Sequence, residues 1–371
     1  MSAPGGNETG GNETSGNETG GNETGGNETV KIAAIQPALR LGAVEENLAH
    51  IEDLIRDAVR EHSPDVVTVP EAASSPNVYS RTLHGVARPI DGAPMHLYRQ
   101  LARELDVVVG GGFLARRGGD VYGTYVLAEP DGSTHLHDKD IPTMWEHNYY
   151  TGGDDDGVTS LNALGGAPVG IACGWEWART GTAERLRGRV RLLLGGMCWP
   201  SYPSNWPFPL SALARREHAL QLQHARELPR QMARLLGAPV AMPSHVGRVD
   251  FETPLAPGLP WRTSMVGETQ IVERDGTILA RLSAEDGEGH CAATVTLAPP
   301  EPLDPIGPMY WIPPLSVVTR AAWTAMNTHG KVRYQGMKLL RKHPWQAWPG
   351  GDMPDEMGPS EPAEQPSATT V

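Results

Sequence analysis

Short apolar runs, many of them rich in Val and Ile, alternate with segments of helical spacing throughout the middle of the chain. The helical segments, in which apolar residues recur every three or four positions, are 44–62, 94–105 and 211–236. The apolar runs predict buried strands, the main ones being 30–38, 65–69, 106–113, 167–173, 190–194, 238–243 and 291–297. Within the longest helical segment we expect Pro229 to kink or divide the helix.

Turn signals add hairpins to this alternation. Pro130-Asp131-Gly132 and Asp275-Gly276 each separate two strand-like runs. Strands that alternate with helices, combined with hairpins, predict a mixed α/β architecture with a partly antiparallel sheet. About ten to twelve strands are too many for one open sheet. We therefore expect two mixed sheets packed together, with helices outside, in a single domain over residues 30–300.

The two termini differ from this middle part in composition. Residues 1–29 repeat Gly, Asn, Glu and Thr, and residues 350–371 are rich in Pro and acids, so both are predicted to be disordered. Together they carry ten acidic residues and no basic one, which accounts for most of the net charge of −13. The nearly neutral middle offers no footprint for nucleic acid.

The N-terminal repeat has two interpretations. Each unit contains Asn-Glu-Thr, which is formally an N-glycosylation sequon of a secreted stalk. We favour a disordered repeat of a cytoplasmic protein, because no signal-peptide pattern is present. Three cysteines fit a reducing compartment, and no apolar run of about 18 residues predicts a membrane span.

Residues 301–349 form a C-terminal extension in which Pro and Trp are common. Its part from 316 to 344 carries basic side chains and no acid, which would suit the surface of a membrane. The apolar residues form no clear one-sided stripe. We therefore favour an extension that packs on the domain or on a second subunit.

Three reactive side chains end or follow predicted strands. Cys173 closes one apolar run, Glu71 follows another, and Lys139 follows the second strand of the first hairpin. A thiol attacks as its thiolate, so it needs a base or a cation nearby. A buried carboxylate such as Glu71 could take the proton, and an ammonium such as Lys139 could stabilise an oxyanion. We expect the three groups to converge in one active site.

A metal site is the competing interpretation of the same region. His135 and His137 lie two residues apart on a predicted strand and could share a metal. Asp138 would point to the other face of that strand, so a third ligand is not evident. We expect neither a metal nor an organic cofactor.

The three reactive side chains, in this order along the chain, resemble the catalytic set of the nitrilase superfamily of carbon–nitrogen hydrolases. The likeness extends to the opening strand at 31–37, to the segments 67–71 and 139–153, and to the run 170–173 with the strand after it. It covers about residues 30–298. The resemblance implies a four-layer αββα sandwich, and family members are commonly homo-oligomers.

The resemblance also implies a cysteine-dependent hydrolase of amide or carbamoyl carbon–nitrogen bonds. Cys173 would attack the substrate carbon to form a thioester, Lys139 would stabilise the tetrahedral intermediate, and Glu71 would activate water. Glu146 matches a second family glutamate that helps to position the substrate and the lysine. The implied partner is a small amide or nitrile. A true nitrilase and an inactive binding or scaffold member are the alternatives.

The residues after Cys173 depart from the family pattern, which commonly has an acid two positions after the cysteine. Here Trp175 holds that position and Glu176 comes one residue later. Trp175 and Trp199 suggest an apolar wall that positions the substrate, although ordinary core packing explains both residues equally well.

Overall fold

The computed structural model describes residues 28–254, 256 and 258–340. Over these residues the chain forms two large mixed sheets with helices on their outer faces, which confirms the predicted architecture. The acidic tail and nearly all of the N-terminal repeat lie outside the described residues, so the predictions made for them stay predictions.

The first sheet is mixed, with a parallel centre and antiparallel edges. In the described part of the chain its seven strands are β1 (Glu28–Gln36), β2 (Val66–Thr68), β3 (Arg88–Pro89), β4 (Val108–Arg117), β5 (Asp120–Ala128), β6 (Thr134–Asp138) and β15 (Gly289–Leu297). The strand order is β15-β1-β2-β4-β5-β6, and the short β3 pairs with β4. Strands β1, β2 and β4 run parallel, whereas β15, β5 and β6 are antiparallel to their neighbours.

The second sheet repeats this plan. Its six described strands are β7 (Val158–Leu161), β8 (Ala167–Cys173), β9 (Leu192–Gly196), β10 (Val240–Met242), β13 (Thr269–Val272) and β14 (Ile278–Leu282). The order is β14-β13-β10-β9-β8-β7, with β8, β9 and β10 parallel at the centre. A separate antiparallel ribbon, which the sequence analysis did not predict, consists of β11 (Arg248–Glu252) and β12 (Pro260–Ser264).

The helices complete four layers. Those of the described residues are α1 (Val44–His62), α2 (Ala93–Leu105), α3 (Thr180–Leu186), α4 (Leu210–Leu236) and α5 (Val317–Leu339). The apolar faces of α1 and α2 pack on the outer face of the first sheet, and α4 packs on the outer face of the second. A third apolar cluster fills the space between the sheets. The burial of these three clusters supplies the main driving force for folding.

Pro229 lies inside α4 without dividing it, so of the two expected outcomes, a kink or a division, the second does not occur. A proline inside a helix leaves the carbonyl four residues earlier without its helical donor. Here that carbonyl belongs to Ala225, and the side-chain amide of Gln270 donates to it at 3.4 Å and to the next carbonyl, of Arg226, at 3.2 Å. A neighbouring strand therefore satisfies the group that the proline leaves free, and the helix continues.

The C-terminal extension packs on its own domain. Helix α5 contacts a 3-10 helix over Met144–Asn148, where Gly330 lies so close to His147 that a Cβ would come within 2.7 Å of that side chain. At the far end of α5, Lys338 pairs with Asp120 at 2.6 Å. Among the helices of the described residues, none combines the length and apolarity that crossing a membrane requires. A contact with a second subunit stays a prediction.

Candidate active site

The ends of strands β2, β6 and β8 meet at one place. Glu71 lies just beyond the end of β2, Lys139 directly follows β6, and Gly174 directly follows β8. The ammonium of Lys139 donates a hydrogen bond to Oε2 of Glu71 at 3.1 Å. The structure thus brings together two of the three side chains that the sequence analysis singled out.

Glu146 completes this group from the 3-10 helix Met144–Asn148. Lys139 donates to both carboxylate oxygens of Glu146, at 2.8 and 3.1 Å, and the backbone N–H of Thr143 donates to the same carboxylate at 2.5 Å. The side chains of Lys139, Glu71 and Glu146 are almost fully buried. A buried ammonium is tolerated only when it is paired and hydrogen-bonded, and these two carboxylates provide both.

One cation between two anions leaves the cluster with an excess negative charge. Burial raises the pKa of Glu71, Lys139 lowers it, and the nearby Glu146 raises it again, with a result of about 7. Burial alone would lower the pKa of Lys139, but Glu146 and Glu71 raise it well above its ordinary value. Lys139 is therefore charged at neutral pH, while Glu71 is poised to gain or lose a proton.

Two further groups hold Glu71 in place. The backbone N–H of Cys198 donates to Oε1 of Glu71 at 3.1 Å, and Nε2 of His245 lies 2.7 Å from the backbone carbonyl of Glu71. Burial lowers the pKa of His245 to about 4, so its neutral ring donates to that carbonyl through Nε2. The sequence analysis missed both residues, because neither stands in a pattern that points to Glu71.

The residue at the turn after β8 is Gly174, not Cys173. Gly174 has a φ of +55°, and a Cβ built on it would lie 2.4 Å from Oε1 of Glu71 and 2.4 Å from Nζ of Lys139. The carboxylate and the ammonium therefore occupy the space that a side chain at residue 174 would take. The family pattern commonly has an acid two residues after the cysteine. Glu176 lies two residues after Gly174, so the acid fits that spacing when it is counted from Gly174 and not from Cys173.

Cys173 faces a different part of the molecule. Together with Val169 and Ile171, the alternate residues of β8, it belongs to the apolar cluster between the two sheets. Its Sγ accepts a hydrogen bond from the backbone N–H of Glu176, and its own N–H donates to Oε2 of that residue at 2.8 Å. Burial and the nearby carboxylates of Glu176 and Glu71 raise the pKa of this thiol. Cys173 is not among the residues that line the cavity described next, and its expected role as the nucleophile stays a prediction.

A cavity opens from the charged cluster, and its empty space is about 570 Å³, including its mouth. Glu71, Lys139, Glu146 and Cys198 form its polar end. Its walls are largely apolar and aromatic, formed by Met144, Trp145, Trp175, Trp199, Pro200, Tyr202, Trp261, Ala322 and Met326. The two predicted positioning residues, Trp175 and Trp199, both contribute, with ring centroids 5.4 Å apart. A cavity with one charged end and otherwise apolar walls suits a small ligand with one polar group.

The two histidines of the competing metal hypothesis have other partners. Nε2 of His135 lies 2.7 Å from Oε1 of Glu129, and Nδ1 lies 2.6 Å from the hydroxyl of Thr159. Both ring nitrogens therefore have hydrogen-bond partners. The ring of His137 lies between Asp155 and Glu176, and Nε2 is 2.9 Å from Glu176. Burial opposes a charge on His137, but Glu176 and Asp155 raise its pKa to about 9. This ion pair holds Glu176 beneath the Cys173–Gly174 turn.

Solved structures with the same fold come from several organisms. A carbon-nitrogen hydrolase from Helicobacter pylori is 19% identical, with a TM-score of 0.60 over 73% of this chain and 90% of its own. A nitrilase-superfamily protein of branch 10 from Saccharomyces cerevisiae is 18% identical, with a TM-score of 0.54; the alignment covers 73% of this chain and 90% of the yeast protein. A double mutant of an amidase from Nesterenkonia, in complex with acrylamide, is 17% identical, also with a TM-score of 0.54. The alignment covers 71% of this chain and 90% of the amidase.

The sequence itself carries a family signature. No protein with curated annotation matches the chain. A sequence model described as "Carbon-nitrogen hydrolase" matches residues 31–300, which include the whole charged cluster and both central sheets. The match leaves out α5, which supplies Ala322 and Met326 to the cavity. Because the match spans most of the chain, this protein belongs to the carbon-nitrogen hydrolase family.

Proposed function

We propose that this protein hydrolyses the carbon–nitrogen bond of a small amide or carbamoyl compound, releasing an acid and ammonia or an amine through a thioester. The observation that carries the proposal is the buried ammonium of Lys139, held at 3.1 Å from Glu71 and 2.8 Å from Glu146 at the end of an aromatic cavity. Such a group pairs a cation for a developing oxyanion with a base of near-neutral pKa.

Each charged residue has a distinct task in this reaction. Lys139 stabilises the oxyanion that forms when a thiol adds to the substrate carbonyl. Glu71, with a pKa near 7, takes the proton of the thiol, passes it to the leaving nitrogen, and later takes a proton from water. Glu146 fixes the position of Lys139 through two hydrogen bonds and keeps the pKa of Glu71 high.

Small amides are the first substrate class to test. The cavity is narrow and mostly apolar, so it favours a compact, uncharged acyl group. The similar structure of a double mutant of an amidase from Nesterenkonia is a complex with acrylamide, which supports an amide of similar size. A nitrile first forms a thioimidate, which one water converts into the same thioester with loss of ammonia, so nitrilase activity is the alternative within the same assay.

One observation favours a second candidate function, which is binding without hydrolysis. Gly174 gives the turn after β8 no side chain, so no nucleophile is attached there. A protein of this kind would still bind a small amide between Lys139 and the tryptophan walls. It would show saturable binding by calorimetry with no release of ammonia.

The experiment is an ammonia-release assay on a panel of small aliphatic amides, carbamoyl compounds and nitriles. We expect turnover of at least one amide, and a loss on the order of 10²- to 10⁴-fold in Glu71→Gln, because the base is removed while the shape is kept. Glu184→Gln, an exposed change on α3, is the matched control and leaves the rate unchanged. Absence of turnover on the whole panel, with amide binding retained, contradicts hydrolysis and favours the binding function.

A further inference from the structure

The three cysteines of the chain occupy three different environments. Cys173 is packed between the sheets, and Cys291 lies on β15, part-buried against the same apolar cluster. Cys198 follows β9 and is the one cysteine among the residues that line the cavity. A thiol that reacts with a bound substrate must reach the cavity, and in the described residues Cys198 meets that condition.

Cys198 contacts the charged cluster through its backbone. The backbone N–H of Cys198 donates a hydrogen bond to Oε1 of Glu71. This bond ties the residue that carries the thiol to the carboxylate of the proposed base. Its Sγ accepts a hydrogen bond from the backbone N–H of Asn77 at 3.3 Å. Asn77 is fixed in turn, because its carbonyl accepts a hydrogen bond from Nε1 of Trp145 at 3.1 Å. These bonds orient the thiol within the cavity lining.

Gly174 excludes a nucleophile at the turn after β8, because it has no side chain. A side chain at the turn after β8 would touch both Glu71 and Lys139, yet glycine leaves that place to the two charged groups themselves. The neighbouring Cys173 cannot take over this role, because its Sγ belongs to the apolar cluster on the opposite face of β8. A hydrolase built on this cluster therefore needs its thiol from another strand end.

We infer that Cys198, at the end of β9, is the nucleophile of this site, and that neither Cys173 nor Gly174 takes part in the covalent chemistry. The inference rests on the proposed function, and it names the reacting group within it. It places the thiol just beyond the end of β9, the parallel strand next to β8 in the same sheet.

The thiol of Cys198 is not activated in advance of the reaction. Burial, then Glu71 and then Glu146 raise the pKa of Cys198, while Lys139 lowers it, with a net increase. The thiol is therefore protonated at neutral pH and has to lose its proton during attack, not before it. Glu71, whose carboxylate is bonded to the same residue, is the base for that transfer.

The steps balance without any further reagent. Glu71 takes the thiol proton as Sγ of Cys198 bonds to the carbonyl carbon, and the carbonyl electron pair moves onto oxygen beside Lys139. The carbonyl re-forms, the carbon–nitrogen bond breaks, and Glu71 returns the proton to the leaving nitrogen. Water then adds to the thioester while Glu71 takes one of its protons. The carbon–sulfur bond breaks, the acid leaves, and the thiolate regains its proton from Glu71.

The test compares single cysteine variants on the best amide of the panel. Cys198→Ala is expected to lower kcat/KM by roughly 10³-fold or more, as removal of a nucleophile does. Cys173→Ala is expected to stay within a few-fold of the parent, and Cys291→Ala is the matched control. Cys198→Ser keeps the volume of the side chain and is used if the alanine variant unfolds at a lower temperature.

A second readout does not depend on turnover. Iodoacetamide, itself a small amide, is applied at mildly alkaline pH, and the modified peptides are identified by mass spectrometry. We expect Cys198 to be alkylated before Cys173, and Glu71→Gln to slow that reaction. Full turnover in Cys198→Ala, or prior alkylation of Cys173, overturns the assignment of the nucleophile and leaves the hydrolase proposal standing. A parent protein that turns over no amide overturns both.

Discussion

The two ends of the cavity differ in origin and in physical character. The charged end, with Glu71, Lys139 and Glu146, lies within residues 31–300, where the family signature matches. Part of the apolar wall comes from α5, outside that match, through Ala322 and Met326. The charged end is fixed by hydrogen bonds among buried groups, whereas α5 contributes two apolar side chains that carry no charge. This difference suggests that the first region sets the chemistry and the second sets which substrate fits.

Among changes at Lys139, Glu146 and Met326, which probe the two ends of the cavity, the largest effect is expected from Lys139→Met. It removes the proposed oxyanion donor, so kcat should fall by about 10²- to 10³-fold. It also leaves two buried carboxylates without their cation, which should destabilise the fold by about 3 kcal/mol or more. Steady-state kinetics and thermal unfolding measure the two effects. Lys331→Met, on the exposed face of α5, is the control. An unchanged kcat in Lys139→Met would mean that the charged end is not the reaction centre.

A smaller effect, on pH dependence, is expected from Glu146→Gln. Glu71 must be deprotonated to act as a base, so kcat/KM of the parent should rise with pH and level off above about 7. Glu146 raises the pKa of Glu71, and removing its charge lowers that pKa. The rising limb should therefore move to lower pH in the variant and stay in place in Glu184→Gln. A shift of the rising limb to higher pH in Glu146→Gln would contradict the claim that Glu146 raises the pKa of Glu71.

The smallest effect is expected from Met326→Ala on the α5 wall. The change enlarges the apolar end without touching a charged group, so kcat/KM for the smallest amides should drop by roughly tenfold or less. Amides with larger acyl groups should lose less, or gain. Met309→Ala, at an exposed methionine, serves as the control. An equal loss for every amide would remove the distinction between the two ends of the cavity.

The sequence predicts the layered fold well because its patterns are local. Helix α1 begins and ends where the apolar spacing predicts, and both hairpins form at their turn signals. The convergence of Glu71 and Lys139 follows from their places after strands that share a sheet. These inferences need only periodicity and strand ends, which a single sequence contains.

Other elements escape such patterns for identifiable reasons. The buried face of α5 consists of Thr319, Asn327, Gly330 and Tyr334, so no apolar stripe marks it. The ribbon β11–β12 does alternate buried and exposed residues, and its period of two could have been recognised. The end of β8 carries a one-residue ambiguity that the sequence leaves open, because a single step along a strand, from Cys173 to Gly174, reverses the direction of the side chain.

The acylated residue tests the central claim most directly. The protein is mixed with its best amide substrate, quenched in acid during the first turnover, digested with trypsin and mapped by mass spectrometry. Arginines between Cys173 and Cys198 place the two thiols on separate peptides. We predict a mass increase equal to the acyl group on the peptide that contains Cys198. An acyl group on the Cys173 peptide, or turnover with no acylated peptide at all, would contradict this account of the site.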